Sequence, residues 1–201
     1  NVEKVYDRLL AKGRITEDHR AAVMGLYTCS TDYADLSDAD MVIEAVFERL
    51  DVKRGVFAQL DKVMKTSAVL ASNTSYIDID HISSATNRPD QVLGLHFFSP
   101  ANIMKLLEIV VPKGVADDVV ATGFALAKRL GKVPVRAGNS TGFIGNRILG
   151  KYGMCAAHMM EDGATPYEID AAIYAFGYPM GIHAMYDLAW LDIGWDNRKA
   201  A

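Results

Sequence analysis

Short apolar runs alternate with longer amphipathic stretches through the first two thirds of the chain, and then the alternation stops. The apolar runs are Met41-Val42-Ile43-Glu44-Ala45-Val46 and residues 68–71, 92–98 and 106–111. They are short and rich in branched side chains, the pattern of strands buried on both faces. Between them, Val56, Phe57, Leu60, Val63 and Met64 form a helical stripe, and residues 115–130 form a second helix ended by Gly131. Val133-Pro134-Val135 reads as an edge strand, because a proline nitrogen cannot donate to a ladder. Strands alternating with helices predict an α/β fold with a mainly parallel sheet. Upstream, Val2, Val5, Leu9 and Leu10 share a helical face that stops at Gly13. Thr16 and Asp18 open a second helix with Ala22, Val23 and Leu26 on its apolar side, and residues 27–30 form a short strand candidate.

Past Arg136 the pattern changes. Ala137-Gly138-Asn139-Ser140-Thr141-Gly142 is a linker, with Ser140 or Thr141 as the expected N-cap of the next helix. Residues 143–161, 166–176 and 181 onward read as helices only. The chain therefore divides into residues 1–137 and 138–201.

Net charge is −4, from 21 basic and 25 acidic residues, which gives no electrostatic case for nucleic acid or an anionic membrane. Cys29 and Cys155 belong to no CxxC or Cys/His cluster, so neither a disulfide framework nor a metal site is expected, and a reducing compartment fits. No apolar run has the length of a membrane span. The chain opens on an amphipathic polar segment rather than a signal peptide, its first residue is not Met, and residues 197–201 read as mid-helix. The expectation is that both ends lie inside a longer protein.

A dinucleotide-binding sheet normally opens with strand, G-x-G-x-x-G and helix. That motif is absent; Gly138, Gly142 and Gly145 have the wrong spacing and lie in the helical part. Either the sheet does not bind a nucleotide, or its glycine-rich βαβ unit lies upstream of Asn1. The helical start and the missing Met favour the second.

Two residues carry the chemistry. Val92, Gly94 and His96 share one face of a strand that Pro100 ends, so His96 lies near its carboxyl end, where open α/β sheets bind ligands. Histidine is the side chain best suited to exchange a proton near neutral pH. Twelve residues later, Glu108 is a lone carboxylate in an apolar strand and needs a partner. A histidine on the neighbouring strand would serve, the carboxylate fixing the imidazole tautomer. Spacing alone leaves the alternative of an unrelated core histidine and an edge carboxylate.

The stretch His96-Phe97-Phe98-Ser99-Pro100-Ala101-Asn102-Ile103-Met104-Lys105-Leu106-Leu107-Glu108 resembles the signature of 3-hydroxyacyl-CoA dehydrogenases. Ile43-Glu44-Ala45-Val46-Phe47-Glu48, Ala71-Ser72-Asn73-Thr74-Ser75 and Gly142-Phe143-Ile144-Gly145-Asn146-Arg147 resemble further segments of that family, as do Glu161-Asp162-Gly163-Ala164 and Gly177-Tyr178-Pro179-Met180-Gly181. Several ordered motifs between Asp38 and Trp195 are far more specific than one alone.

The resemblance implies a Rossmann-like NAD-binding domain over 1–137, lacking its glycine-rich βαβ unit, and part of a helical dehydrogenase domain over 138–201. It implies oxidation of L-3-hydroxyacyl-CoA to 3-oxoacyl-CoA with NAD in fatty-acid β-oxidation. His96 would be the base and Glu108 its orienter; Ser75 and Asn146 would hydrogen-bond the substrate oxygen. Glu48, Lys53, Asn73 and Ser75 would border the cofactor. Plainer readings stand beside these: Ser75 and Asn146 as local helix caps, Glu48 and Lys53 as a solvated charge pair, and Met159-Met160 as core or interface packing. His19, His81, His158 and His183 read as structural or surface residues.

Ser99-Pro100-Ala101 after the histidine, Asn139-Ser140-Thr141 before Gly142, and Leu191-Asp192-Ile193-Gly194-Trp195 resemble the multifunctional β-oxidation proteins more than the single-function enzymes. The implied partners are an acyl-CoA, a fused enoyl-CoA hydratase and a second helical domain, or an oligomer. The implied compartment is the bacterial cytoplasm, or alternatively the peroxisome. Ile182-His183 stands where the family often has Pro-Phe, which bears on the acyl pocket. Two other functions fit the wider fold: a β-hydroxyacid-type dehydrogenase, which would use a lysine, and a non-catalytic structural relative. Without a glycine-rich loop, these 201 residues are expected to be inactive alone.

Overall fold

The computed structural model describes residues 2–188; the segments 191–195 and 197–201 lie outside them. Two helices lead, α1 (Val2–Ala11) and α2 (Glu17–Met24), the second capped by the Thr16 side chain, which accepts from the His19 N–H at 3.2 Å. Arg20 joins them through ion pairs to Glu3 and Asp7. Residues 27–30 form no strand. Tyr27 is 54% exposed and the segment pairs with no strand among the described residues; a strand without a ladder leaves its backbone groups to water.

Five strands form one sheet in chain order: β1 (Met41–Glu44), β2 (Val69–Ser72), β3 (Val92–Phe97), β4 (Leu106–Val111) and β5 (Val133–Gly138). β1, β2 and β3 run parallel, β4 turns back antiparallel to β3, and β5 lies parallel to β4. The sheet is thus mainly parallel. Pro134 lies on an edge strand, as its missing N–H requires.

Helices cover both faces. On one face α3 (Leu50–Val63) and α4 (Ile79–Ser83) pack Phe57, Leu60, Ile79 and Ile82 onto Leu70, Val92 and Val110. On the other, α5 (Asp117–Arg129) packs Val119 and Ala127 onto Leu93, Leu95, Leu107 and Ile109. Side chains alternate between the faces along β3 and β4, so one strand feeds both cores. Arg88 closes the end of α3: it ion-pairs Asp61 at 2.9 Å and donates to the carbonyls of Leu60, Asp61 and Met64.

After Gly138 the chain is helical, with α6 (Gly145–Glu161), α7 (Pro166–Phe176) and α8 (Ile182–Leu188) around Ala156, Ile169 and Ile182. Thr165 and Glu168 form a capping box at α7, and Gly177 ends it in the left-handed conformation. Met159 and Met160 are exposed rather than core. No helix among the described residues is long and apolar enough to cross a membrane.

Candidate active site

His96 is the next-to-last residue of β3, and the antiparallel register sets it directly opposite Glu108. Opposed residues of such a pair point to the same face, so their side chains meet. His96 Nδ1 lies 2.7 Å from Glu108 Oε2, with the side chains 4% and 1% exposed. An ionised carboxylate can only accept, so Nδ1 carries the proton and Nε2 is left as the basic nitrogen. Phe98 and Phe143 flank the imidazole at centroid distances of 4.5 and 5.5 Å. The ring is held by one hydrogen bond and two aromatic contacts.

The second oxygen of Glu108 does different work. Oε1 accepts from the backbone N–H groups of Ile144 at 3.0 Å and Gly145 at 2.8 Å. These are orphan donors at the start of α6, whose partial positive charge complements a carboxylate. The expected cap, Ser140 or Thr141, does not form: the helix starts later, with no side-chain cap from its own N-cap residue. A carboxylate 36 residues upstream takes that place. Gly145 permits the approach, because a Cβ there would sit 2.7 Å from Phe98 Cζ. Just before it, Phe143 adopts φ 47°, a left-handed conformation costing about 1–3 kcal/mol in a bulky residue. Its burial against His96 holds it there.

Asn146, the second residue of α6, extends its Nδ2 to the carbonyl of Ser75 at 3.5 Å. Asn146 therefore reaches across to the sheet rather than capping its own helix. Ser75 lies in the loop after β2, and its N–H donates to Glu48 Oε1 at 2.8 Å. Asp78, not Ser75, caps α4. Asn73 ties the same loop to the end of β3, its Oδ1 accepting the Phe97 N–H at 2.8 Å. His96 and Asn73 thus lie at and just past the carboxyl ends of β3 and β2, with Glu108 paired to His96 and the Asn146 amide at the Ser75 carbonyl.

Glu48 and Lys53 form no solvated pair. The Lys53 side chain is 1% exposed; its ammonium meets Glu44 Oε1 at 2.8 Å and Glu48 Oε2 at 3.3 Å. Glu48 Oε1 gathers the Thr74 hydroxyl and the N–H groups of Ser75 and Tyr76 at 2.6, 2.8 and 3.0 Å. Both residues build the loop that presents Ser75.

Two contributors were not singled out as site residues by sequence. Glu44 is a buried carboxylate in an apolar strand, and the reasoning that flagged Glu108 applies to it equally. Asn139 gave no signal: its amide donates to Asp78 and Asp80 at 2.6 and 2.9 Å while its oxygen accepts the Ile79 N–H at 3.0 Å, fastening the linker to α4. His158 is exposed beside Glu161; His183 is half-buried, with its Nε2 unpaired among the described residues. Among the described residues no group of three His, Cys, Asp or Glu side chains is placed to hold a metal ion.

The profile of the 3-hydroxyacyl-CoA dehydrogenase NAD-binding domain matches residues 1–141, and that of the family's C-terminal domain matches residues 142–201. The chain belongs to the 3-hydroxyacyl-CoA dehydrogenase family. It is 46% identical over 179 residues to the peroxisomal bifunctional enzyme of Danio rerio, an alignment covering 89% of this chain and 25% of that protein. The chain spans about a quarter of the length of the curated relatives it matches. Among solved structures, FadB2 of M. tuberculosis superposes with a TM-score of 0.90 at 41% identity, covering 94% of this chain and 68% of that one. The (S)-3-hydroxybutyryl-CoA dehydrogenase of Ralstonia eutropha gives 0.89 at 35%, covering 95% and 68%. Members of the dehydrogenase family therefore share this sheet and the start of its helical part.

Proposed function

We propose that the chain carries the catalytic base, its orienter and the substrate-oxygen contacts of an enzyme that oxidises L-3-hydroxyacyl-CoA to 3-oxoacyl-CoA in fatty-acid β-oxidation. The observation that carries the reading is the buried His96–Glu108 pair beside the Ser75–Asn146 contact. His96 Nε2 takes the proton from the 3-hydroxyl, and Glu108 holds the ring and stabilises the imidazolium. Ser75, whose hydroxyl makes no hydrogen bond among the described residues, and the Asn146 amide orient the oxygen that becomes a carbonyl.

The residues fit the nicotinamide half of an NAD site. A short hydroxyl and an amide, Ser75 and Asn73, border the crevice where the sheet ends, while the chain itself has no glycine-rich pyrophosphate loop. Bound there, NAD supplies the hydride acceptor. We place the division between the cofactor and helical domains at 137/138, at the last residue of the final strand. A lysine-dependent β-hydroxyacid reaction is disfavoured, because the carboxyl end of β3 carries the His96–Glu108 pair rather than a lysine.

The relatives' names, bifunctional and multifunctional, support fusion to further catalytic parts and favour the peroxisome over a bacterial cytoplasm; we propose an enoyl-CoA hydratase as the fused part, with a second helical domain or an oligomer completing the helical part. His96→Gln in the catalytically active protein tests the reading: turnover should fall about 10²–10⁴-fold with melting unchanged. Near-normal turnover overturns it and favours a structural relative. The 201 residues alone should show no micromolar NAD affinity in calorimetry; such affinity would refute the dependence on a glycine-rich loop.

A further inference from the structure

We propose that Glu44 is a positioning residue: from the end of β1 it sets, through Lys53 and Glu48, the loop that presents Ser75. The inference deepens the reading above and rests on it for the role of Ser75.

Glu44 is 4% exposed and uses both oxygens. Oε1 accepts from the Val46 N–H at 2.7 Å and the Lys53 ammonium at 2.8 Å; Oε2 accepts from the Ser72 hydroxyl at 2.7 Å. The parallel register places Glu44 beside Ser72, the last residue of β2. Ser72 Oγ in turn accepts the Thr74 N–H at 3.3 Å. Lys53 is the only cation in contact with Glu44 or Glu48 among the described residues, and both anions reach it. Glu48 then collects the three donors of residues 74–76 on a single oxygen. The chain of contacts runs from Glu44 to Lys53 to Glu48 to the Ser75 backbone, with a shorter branch through Ser72 to Thr74. The backbone carbonyl of Glu44 also accepts the Asn73 N–H at 2.8 Å.

The Glu44–Lys53 pair is buried and little screened, while the Glu48 side chain is 26% exposed. A buried ion pair is weak evidence for a stabilising role, since apolar residues of similar size often serve as well. Its value lies in geometry. Both Glu44 oxygens and the Lys53 ammonium are spent on fixed partners, and the loop they fix carries no regular structure of its own. Without Glu44, Lys53 would keep only Glu48 and the Val46 carbonyl, and the loop that carries Ser75 would lose its anchor to β1.

The test is a double-mutant cycle in the catalytically active protein with Glu44→Gln, Ser75→Ala and the double variant, read by kcat, acyl-CoA KM and amide exchange. Glu44→Gln should lower kcat about tenfold with little change in KM, within the coupling expected of one hydrogen-bond network. It should also speed exchange of the Ser75 and Tyr76 amides while Leu95 and Ile109 stay protected. The double variant should be no slower than Ser75→Ala. A double variant showing the product of the two single effects, or exchange accelerated equally in β3 and β4, overturns the proposal. If Glu44→Gln does not fold, Glu44→Leu/Lys53→Met removes both buried charges together and should fold; loop amides as slow as wild type in that protein also overturn it. If Ser75→Ala alone leaves kcat unchanged, the role given to Ser75 fails, and the loop exchange still decides the role of Glu44.

Discussion

Two lone carboxylates sit on the same face of one sheet, each buried in an apolar strand, and they are partnered in opposite ways. Glu44 on β1 meets an ammonium, a serine hydroxyl and one backbone N–H. Glu108 on β4 meets an imidazole and two N–H groups at the start of α6. An ammonium brings a full positive charge, whereas an imidazole brings one only when it gains a proton. The Glu44 pair is therefore complete as it stands. In the reaction proposed above, the Glu108 pair is completed by the arrival of a proton on His96. On the two proposals above, one fold uses the same costly group once to hold a loop still and once to await a charge.

Glu108→Gln should show the largest difference between them. The amide can donate to Nδ1 and so reverse which imidazole nitrogen carries the proton, which should lower turnover about 10²–10⁴-fold. The Gln oxygen can still accept from Ile144 and Gly145, so melting should move by a few degrees only. Equal losses from Glu108→Gln and Glu44→Gln in a kcat comparison would erase the distinction.

Two glycines, one beside Glu108 and one on the helix that carries Lys53, should respond with opposite signs. At Gly145 a Cβ would press on Phe98, the ring beside His96, so Gly145→Ala should destabilise by about 1–3 kcal/mol and lower kcat. At Gly55, on the exposed side of α3, nothing lies within 4 Å, and Gly55→Ala should stabilise by about 0.5–1 kcal/mol. Chemical denaturation of both variants measures the contrast, and a stabilising Gly145→Ala would show that α6 is not seated against the His96 centre.

The same contrast explains what could be read in the sequence. The strands were legible because burial on both faces writes a continuous apolar run, and α7 because its caps are local. His96 and Glu108 stood out as polar residues in such runs. Glu44 stood in one too, but its cation lies nine residues on, across a turn from strand to helix. The burial of Lys53 is written in α3, where it shares the buried stripe of Phe57 and Leu60 at helical spacing. The start of α6 was not legible, since its cap comes from another strand, and the Asn139 clamp spans about 60 residues. Residues 27–30 failed for the converse reason: a strand-like run means nothing without a neighbour.

The smallest expected effect concerns a third carboxylate that caps a helix without an imidazole on its other oxygen. Asp170 on α7 accepts from the N–H groups of His183 at 3.0 Å and Ala184 at 2.9 Å, closing the start of α8, with Gly181 packed against it. Burial pushes this carboxyl up, but the two N–H donors and the nearby His183 outweigh it and hold it below the usual range. A carboxyl lowered by folding contributes stability at pH values above its unfolded range, and that contribution is lost as pH falls through the folded value. The loss should therefore appear below about pH 4. Asp170→Asn should cost about 1 kcal/mol at neutral pH, or about 2–4 °C in melting. It should also flatten the acid limb of the melting curve without abolishing it, because Glu168, lowered by its Thr165 hydrogen bonds, still titrates there. An unchanged acid limb in the Asn variant would show that the α7–α8 junction does not feel the charge, and that Glu108 alone among these two helix-capping carboxylates couples a helix start to a proton.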